Sequence, residues 1–600
     1  MIAGLPDDLL REICRMASSQ SDSSPRPVSR SCGGKLARAP TSGFQALRCS
    51  SRRLRDACNS CQSSMSFLVE DQAAAQRFMQ KLPHLEAVTI EFRSTTCGIS
   101  RSLQSLYSVL PRLKSLTLHG TGNWPSSTRM RSRSEGDIGS CIVPWQQTLQ
   151  RLELHNIRCP GDRLGSDSDV VVGGVSSDCS GSSSTGSVGG SSSTSSRGSS
   201  GGSSSGSNDS SGGGGLGFIS DLPYLTSLKL QHVYPALQTE HIAGNTHLQQ
   251  LTLKENKLDT SLDLTSCVSL QEVRVTDYAV QQLDVSGLSQ LRCLDCSDNS
   301  IPELELSSCL ALTRLYCGRN KLSLLNLSTN AKMLELDCRS NPQMAAPVLS
   351  GCPLLCELCC AGASFTQLDL TGCAALKVLN LNSSKVHSLE LKQACPNLQT
   401  LYVACAKNLV SLDLQGMASL RLVNVGCNSS LAALNVVGCA RLGKLACMSC
   451  PALKRLQVTG CAALHDLSCE ECSLQSIDLT ACAHLEKLVC SGCPLGVLDL
   501  SSCRQLVKVM CARTSITTLD LSASAATLVQ LYCKACPLLE TVCVSGGKQL
   551  RWLCCENCPQ LQELDSSGCS SLEYLLTAGS GSFAAASLCL STWFANLYSV

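Results

Sequence analysis

Apolar and polar residues alternate along this chain in a short, regular rhythm. From about residue 222 to 575, triplets of the form L-x-(L/C/V) begin at Leu251, Leu262, Val273, Leu283, Leu294, Leu304, Leu315, Leu325 and Leu336. They resume at Leu358, Leu368, Leu379, Leu389 and Leu401 and continue to Leu564, at steps of about ten or eleven residues. Each triplet alternates in, out, in, which is the strand period. Turn-prone residues such as SSC, TGC and GRN follow each one. About ten residues cannot hold a strand and a crossover helix. The chain must therefore coil, with two short parallel strands per turn of 21–22 residues. One unit, residues 341–353 (NPQMAAPVLSGCP), lacks a clear triplet and carries Pro342, Pro347 and Pro353. It is expected to open first.

Outside that array the rhythm changes. LEAVTIEF, LKSLTLHG and LQRLELHN, within 61–159, carry the same motif at wider, irregular spacing. Residues 160–215 are almost pure Ser and Gly and cannot bury enough apolar area to offset chain entropy, which predicts a disordered linker or insertion. The regular solenoid is expected over 216–576, with a cap or tail at 577–600 and a small α-helical module at 1–60.

Composition narrows the function. The net charge of +2 gives no bulk case for nucleic acid or an anionic membrane as partner. No run of about 18 apolar residues appears, and the first residues, MIAGLPDDLLREICRM, lack a basic and then apolar leader. With 42 cysteines, the chain reads as intracellular with reduced thiols, cytoplasmic or nuclear, the ciliary axoneme being the alternative. There is no phosphate-loop signature and no H-E-x-x-H motif, so neither a catalytic set nor a cofactor is expected.

The cysteines fall into two phases. Cys296, Cys317, Cys338, Cys447, Cys469, Cys490, Cys511 and Cys533 end triplets and should point inward. Cys267, Cys309, Cys373, Cys439, Cys461, Cys482 and Cys503 sit at the corner, where a thiol can donate to a carbonyl. The C-x-x-C pairs, such as Cys469/Cys472, arise where both phases hold cysteine. Stacked coils about 4.8 Å apart make a ladder, whereas zinc needs four converging ligands, so no metal is expected.

The phrases LRCLDCSDNSIPELEL and LTRLYCGRNKLSLLNL resemble leucine-rich repeats over more than half the chain. The alternation with LDLSxC resembles the 21-residue cysteine-containing subtype of some internalins, and the C-x-x-L spacing is similar to cysteine-containing repeats of F-box proteins. The resemblance implies an α/β repeat fold, a leucine-rich-repeat solenoid, whose concave sheet binds partners. On that sheet the candidate substrate-binding residues are Tyr316, Tyr402, Lys508, Met510, Tyr532, Lys534 and Trp552. The opposite row is monotonously acidic, from Asp263 and Asp284 through Asp565, and reads as a solvated face.

GLPDDLLREICRM begins a helix, with Pro6 in its first turn, Asp7 and Asp8 at its positive end, and Leu9, Leu10 and Ile13 on one face. With FQALRCSSRRLRDAC it resembles an F-box, although Leu54 stands where the family has an aromatic and residues 17–42 interrupt the motif. The resemblance implies that Leu5, Pro6, Leu9, Leu10, Ile13, Leu47 and Leu54 contact a Skp-type adaptor. The protein would then be the substrate receptor of an SCF-type (cullin) ubiquitin ligase. The alternative is a structural or ciliary scaffold whose N-terminal helices merely cap the solenoid.

Overall fold

The computed structural model describes residues 64–68, 86–92, 103, 106–108, 110–120, 138–157, 215–233, 237–254, 261–276 and 280–581. The expected N-terminal helical module and the residues beyond 581 lie outside them.

One long parallel sheet runs through the described chain. Its first strands are β1 (Ser64–Leu68), β2 (Ala87–Phe92), β3 (Ser115–Gly120), β4 (Arg151–His155), β5 (Ser227–Gln231) and β6 (Gln250–Lys254). From β8 (Glu272–Thr276) the ladder continues by triplets, among them β10 (Cys293–Asp295), β15 (Thr400–Tyr402), β17 (Leu422–Asn424), β23 (Lys508–Met510), β25 (Gln530–Tyr532), β27 (Trp552–Cys554) and β29 (Tyr574–Leu576). Each strand pairs in register with the one a coil later, for example Leu294 with Leu315 and Leu531 with Leu553. The coil length that the sequence predicts, 21 or 22 residues, is the register of this ladder. β4 pairs directly with β5, so the Ser/Gly stretch lies between two strands of neighbouring coils.

The inward leucines and the triplet-ending cysteines form one continuous core. Cys296, Cys317, Cys447, Cys469, Cys490, Cys511 and Cys533 are fully buried, and Cys338 nearly so. A cysteine fills less space than leucine and suits a thin coil. The earliest coils close their backs with helical turns instead. Helix α1 (Ile138–Ile142) leads into a 3-10 turn (Val143–Trp145), where Trp145 is buried and its indole N–H donates to the Leu110 carbonyl at 2.7 Å.

The second strand of each coil is less regular than the sequence suggests. It pairs only in patches: β7 (Ser261–Asp263) with β9 (Gln282–Asp284); β16 (Ser411–Asp413), β18 (Ala433–Asn435) and β20 (Arg455–Gln457); and β24 (Thr518–Asp520), β26 (Thr541–Cys543) and β28 (Glu563–Asp565). Corner length accounts for most of this. Two residues separate the corner residue from the next leucine in Asn428–Leu431, Cys450–Leu453 and Cys558–Leu561, and strands follow. Only one separates them in Asn299–Ile301, Cys472–Leu474 and Cys493–Leu495, and no strand follows. The relation is not strict, since Thr514–Ile516 is a one-residue corner and β24 follows it in register with β26.

The unit at 341–353 packs like its neighbours. Although its triplet is obscured, Asn341, Met344, Leu349 and Cys352 are all buried. Asn326 and Val348 form a β-bridge there. The coil is complete.

Candidate binding face

Two outward columns run along the long sheet, formed by the residues on either side of each inward leucine. At the N-terminal end they hold a polar cluster. Thr117, Glu153 and Lys229 are in register, as are His119, His155 and Gln231. The His119 and His155 rings stack at 4.2 Å. A Glu153 carboxylate oxygen lies 3.4 Å from His155 Nε2 and 3.5 Å from Lys229 Nζ. The His155 hydrogen bond, with Lys229 assisting, holds the Glu153 carboxyl down at about 2 against the opposing effect of burial.

The next coils are charged and satisfied among themselves. Arg274 pairs with Glu272, and Arg339 with Asp337. Tyr316, one of the candidates, donates its hydroxyl to Glu335 at 2.6 Å. Burial and that carboxylate push its phenol up to about 12. Tyr402 is half-buried in the neutral middle of the face, beside Asn380 and Asn424 in the same column.

The chemistry changes at the C-terminal end. Lys508, Gln530, Trp552 and Tyr574 stand in register in one column, and Met510, Tyr532, Cys554 and Leu576 in the other. Trp552 is 37% exposed, Tyr574 50% and Leu576 38%. The Trp552 and Tyr574 rings meet at 4.6 Å. Lys534 lies just past its strand and pairs with Glu556 of the next coil at 2.7 Å. The structure thus brings Lys508, Met510, Tyr532 and Trp552 together, flanked by Lys534. It leaves Tyr316 and Tyr402 on coils far from them. Tyr574 and Leu576 complete the patch and escaped the sequence reading, though both continue its columns by one coil.

The acidic row on the other side has a local role that the solvated-face reading missed. Most of its carboxylates accept the amide N–H two residues on: Asp284 from Ser286 at 2.8 Å, Asp369 from Thr371 at 2.8 Å, Asp499 from Ser501 at 2.9 Å and Asp565 from Ser567 at 3.0 Å. The side chain closes the turn that follows its own strand. The hydroxyl of that same Ser or Thr together with its amide lowers the carboxyls of Asp284, Asp369, Asp499 and Asp565.

A pH prediction follows from the sign of these shifts. A carboxyl lowered on folding contributes stability above its unfolded value and loses it as pH falls through the folded one. For Glu153 that window runs from 4.5 down to about 2, and the turn aspartates act in the same direction. Urea midpoints should therefore fall steadily over this range. Glu153→Gln should flatten part of that fall, and identical profiles for the variant and the wild type would refute the assignment.

Two ladders at the corners fix the fold type. At the corner after the long sheet, Asn320 Nδ2 donates to the carbonyls of Cys296 at 2.9 Å and Cys317 at 3.2 Å. Asn341 does the same to Cys317 and Cys338, and Asn428 to Val403 and Val425. In later coils the same position is cysteine: Cys450 Sγ donates to Val425 at 3.2 Å, Cys472 to Cys447 at 3.0 Å and Cys558 to Cys533 at 3.2 Å. The opposite corner carries a second thiol ladder through Cys309, Cys439, Cys461 and Cys569. The C-x-x-C pairs therefore split, one thiol in the core and one on a carbonyl. Among the described residues no group of three or more His, Cys, Asp or Glu side chains is placed to hold a metal ion.

The fold is a leucine-rich-repeat solenoid.

Solved structures of other proteins are similar to parts of this chain. The functional domain of InlJ from Listeria monocytogenes, which includes a cysteine ladder, is 27% identical with a TM-score of 0.41 over 57% of this chain and 70% of its own. A leucine-rich-repeat protein of Leptospira interrogans is 13% identical with a TM-score of 0.42, over 75% of this chain and 95% of its own. YopM from Yersinia enterocolitica is 19% identical with a TM-score of 0.34, over 58% of this chain and 81% of its own. No family model matches the chain, and no curated protein does. Among the described residues no helix is long and apolar enough to cross a membrane.

Proposed function

We propose that this protein is a non-catalytic interaction receptor whose long-sheet face holds a protein partner. The observation that carries this reading is the in-register patch of Trp552, Tyr574 and Leu576, flanked by Met510, Tyr532 and Lys508. Clustered aromatics left exposed beside charge have the composition of binding hot spots. In its finer form the proposal makes the protein the substrate receptor of an SCF-type ubiquitin ligase. Leu5, Pro6, Leu9, Leu10, Ile13, Leu47 and Leu54 would bind the Skp-type adaptor, and Tyr316, Tyr402 and the C-terminal patch would bind a protein substrate. The support for the adaptor is the F-box-like sequence at residues 1–60, which lies outside the described residues.

The test uses the full chain. Wild-type protein should retain a Skp-type adaptor at micromolar concentration. Leu10→Asp removes a leucine worth about 1.5–3 kcal/mol at an interface and adds an uncompensated carboxylate. Adaptor affinity should fall by roughly 30-fold or more, with the thermal transition of the solenoid unchanged. Trp552→Ala should leave adaptor binding intact. Failure of the wild-type chain to hold any adaptor would end the ligase reading while leaving the interaction face untouched. Loss of thermal stability in Leu10→Asp without adaptor binding would instead mark the helices as a cap.

A further inference from the structure

Packing explains nearly every cysteine in the described residues, either by burial in the core or by donation to a carbonyl. It does not explain Cys405 and Cys427, the two exposed members of the set. They occupy the same corner of consecutive coils, because β15 and β17 pair in register and each cysteine follows its strand by the same interval. Both adopt a left-handed backbone, with φ of 59°. Elsewhere that corner is filled by residues such as Asp298, Gly362, Ser383 and Asn557. A cysteine gains nothing there from conformation, since only Gly, Asn and Asp visit that region readily. The Cys405 amide donates to the Gly426 carbonyl at 2.9 Å, which seats each cysteine directly against the other's coil.

We propose that Cys405 and Cys427 form a redox-modification site, an exposed dithiol that closes to a disulfide between adjacent coils under a peroxide. Strands stack about 4.8 Å apart, inside the roughly 4.4–6.8 Å separation of Cα atoms that a disulfide spans. Burial, with the neighbouring Cys405 adding to it, raises the Cys427 thiol. The thiolate of one cysteine attacks one peroxide oxygen, giving a sulfenic acid and, after proton transfer, water. The sulfur of the other cysteine then displaces the sulfenic oxygen as a second water, and the S–S bond forms. In sum, two thiols and one hydrogen peroxide give one disulfide and two waters. The sulfur pairs Cys338 with Cys360 at 3.4 Å and Cys533 with Cys555 at 3.3 Å are buried in the core and shielded from the oxidant. The site lies just past Tyr402 and Asn424 of the binding face, so closure would tie two coils together at its edge.

Peptide mapping of the full-length reduced protein after graded hydrogen peroxide tests this. Thiols are blocked in denaturant after each dose. The expected result is a Cys405–Cys427 cross-linked peptide pair that appears before any core cysteine is lost and is reversed by dithiothreitol. Cys405→Ser should abolish the cross-link and leave Cys427 trappable by dimedone as a sulfenic acid. Recovery of both cysteines unmodified while core cysteines oxidise would overturn the proposal. So would their separate over-oxidation without a cross-link.

Discussion

Asn320→Cys should cost about 2 kcal/mol of stability, whereas the same substitution at Asn428 should cost close to nothing. The two asparagines occupy one ladder and donate alike, but they differ as acceptors. The Oδ1 atom of Asn320 receives the Ile301 amide at 3.0 Å, as that of Asn341 receives Leu322 at 3.1 Å. These amides belong to the one-residue corners of the preceding coil. The coil before Asn428 has a two-residue corner, Ala406 to Leu409, and the buried Asn428 Oδ1 has no partner. Loss of a buried acceptor leaves an orphaned N–H, at about 1–3 kcal/mol. Exchange of an already orphaned oxygen for sulfur removes that burden. Denaturant midpoints of the two variants measure the difference. Equal losses would show that the ladder serves only to donate, and that its change from asparagine to cysteine has some other cause.

That contrast also shows why the fold was legible and much of the site was not. The long sheet could be read because every inward leucine repeats with the same neighbours, so a misplaced triplet would turn a whole face outward. Core thiols such as Cys469 were legible for the same reason. The second sheet was overdrawn because pairing of triplets such as Leu434 and Leu456 follows the length of the corner in most coils, and no propensity marks that length. Residues 341–353 seemed defective because their leucine is displaced, yet Met344 and Leu349 fill the same core. At the binding face, Trp552 and Tyr532 stood out by residue type. Tyr574 and Leu576 did not, because the triplets were followed only as far as Leu564, one coil short of them. Cys405 and Cys427 were invisible among 42 cysteines until exposure and a left-handed φ separated them from the rest. Glu153 and His155 sit two residues apart on one strand, but Lys229 joins them from beyond the Ser/Gly stretch, so no local pattern carries the three together.

Gly351→Ala should be the most damaging single methyl in the solenoid. A Cβ at Gly351 would lie 1.9 Å from the Ser328 carbonyl oxygen and 2.7 Å from the Ser328 Cα, both backbone atoms of the adjacent coil. No rotamer relieves such a contact, so the coils must part. Parting them breaks the bridge in which Leu327 N–H donates to Val348 O at 3.0 Å and Val348 N–H to Leu325 O at 2.9 Å. Two lost backbone hydrogen bonds and the residual strain together come to about 3 kcal/mol or more. Two controls isolate the cause. A Cβ at Gly217 would meet nothing within 4 Å, and the residue has no positive φ, so Gly217→Ala should be near neutral. Gly416 also faces open space but has φ of 77°, so Gly416→Ala should cost about 1 kcal/mol from backbone conformation alone. Hydrogen exchange locates the damage. Because each coil is held only by its neighbours, Gly351→Ala should raise exchange over residues 325–350 and leave the Trp552 end protected. A variant as stable as Gly217→Ala would show that the second side of the solenoid does not close this tightly at Ser328. Uniform loss of protection along the whole array would show that coupling reaches beyond adjacent coils.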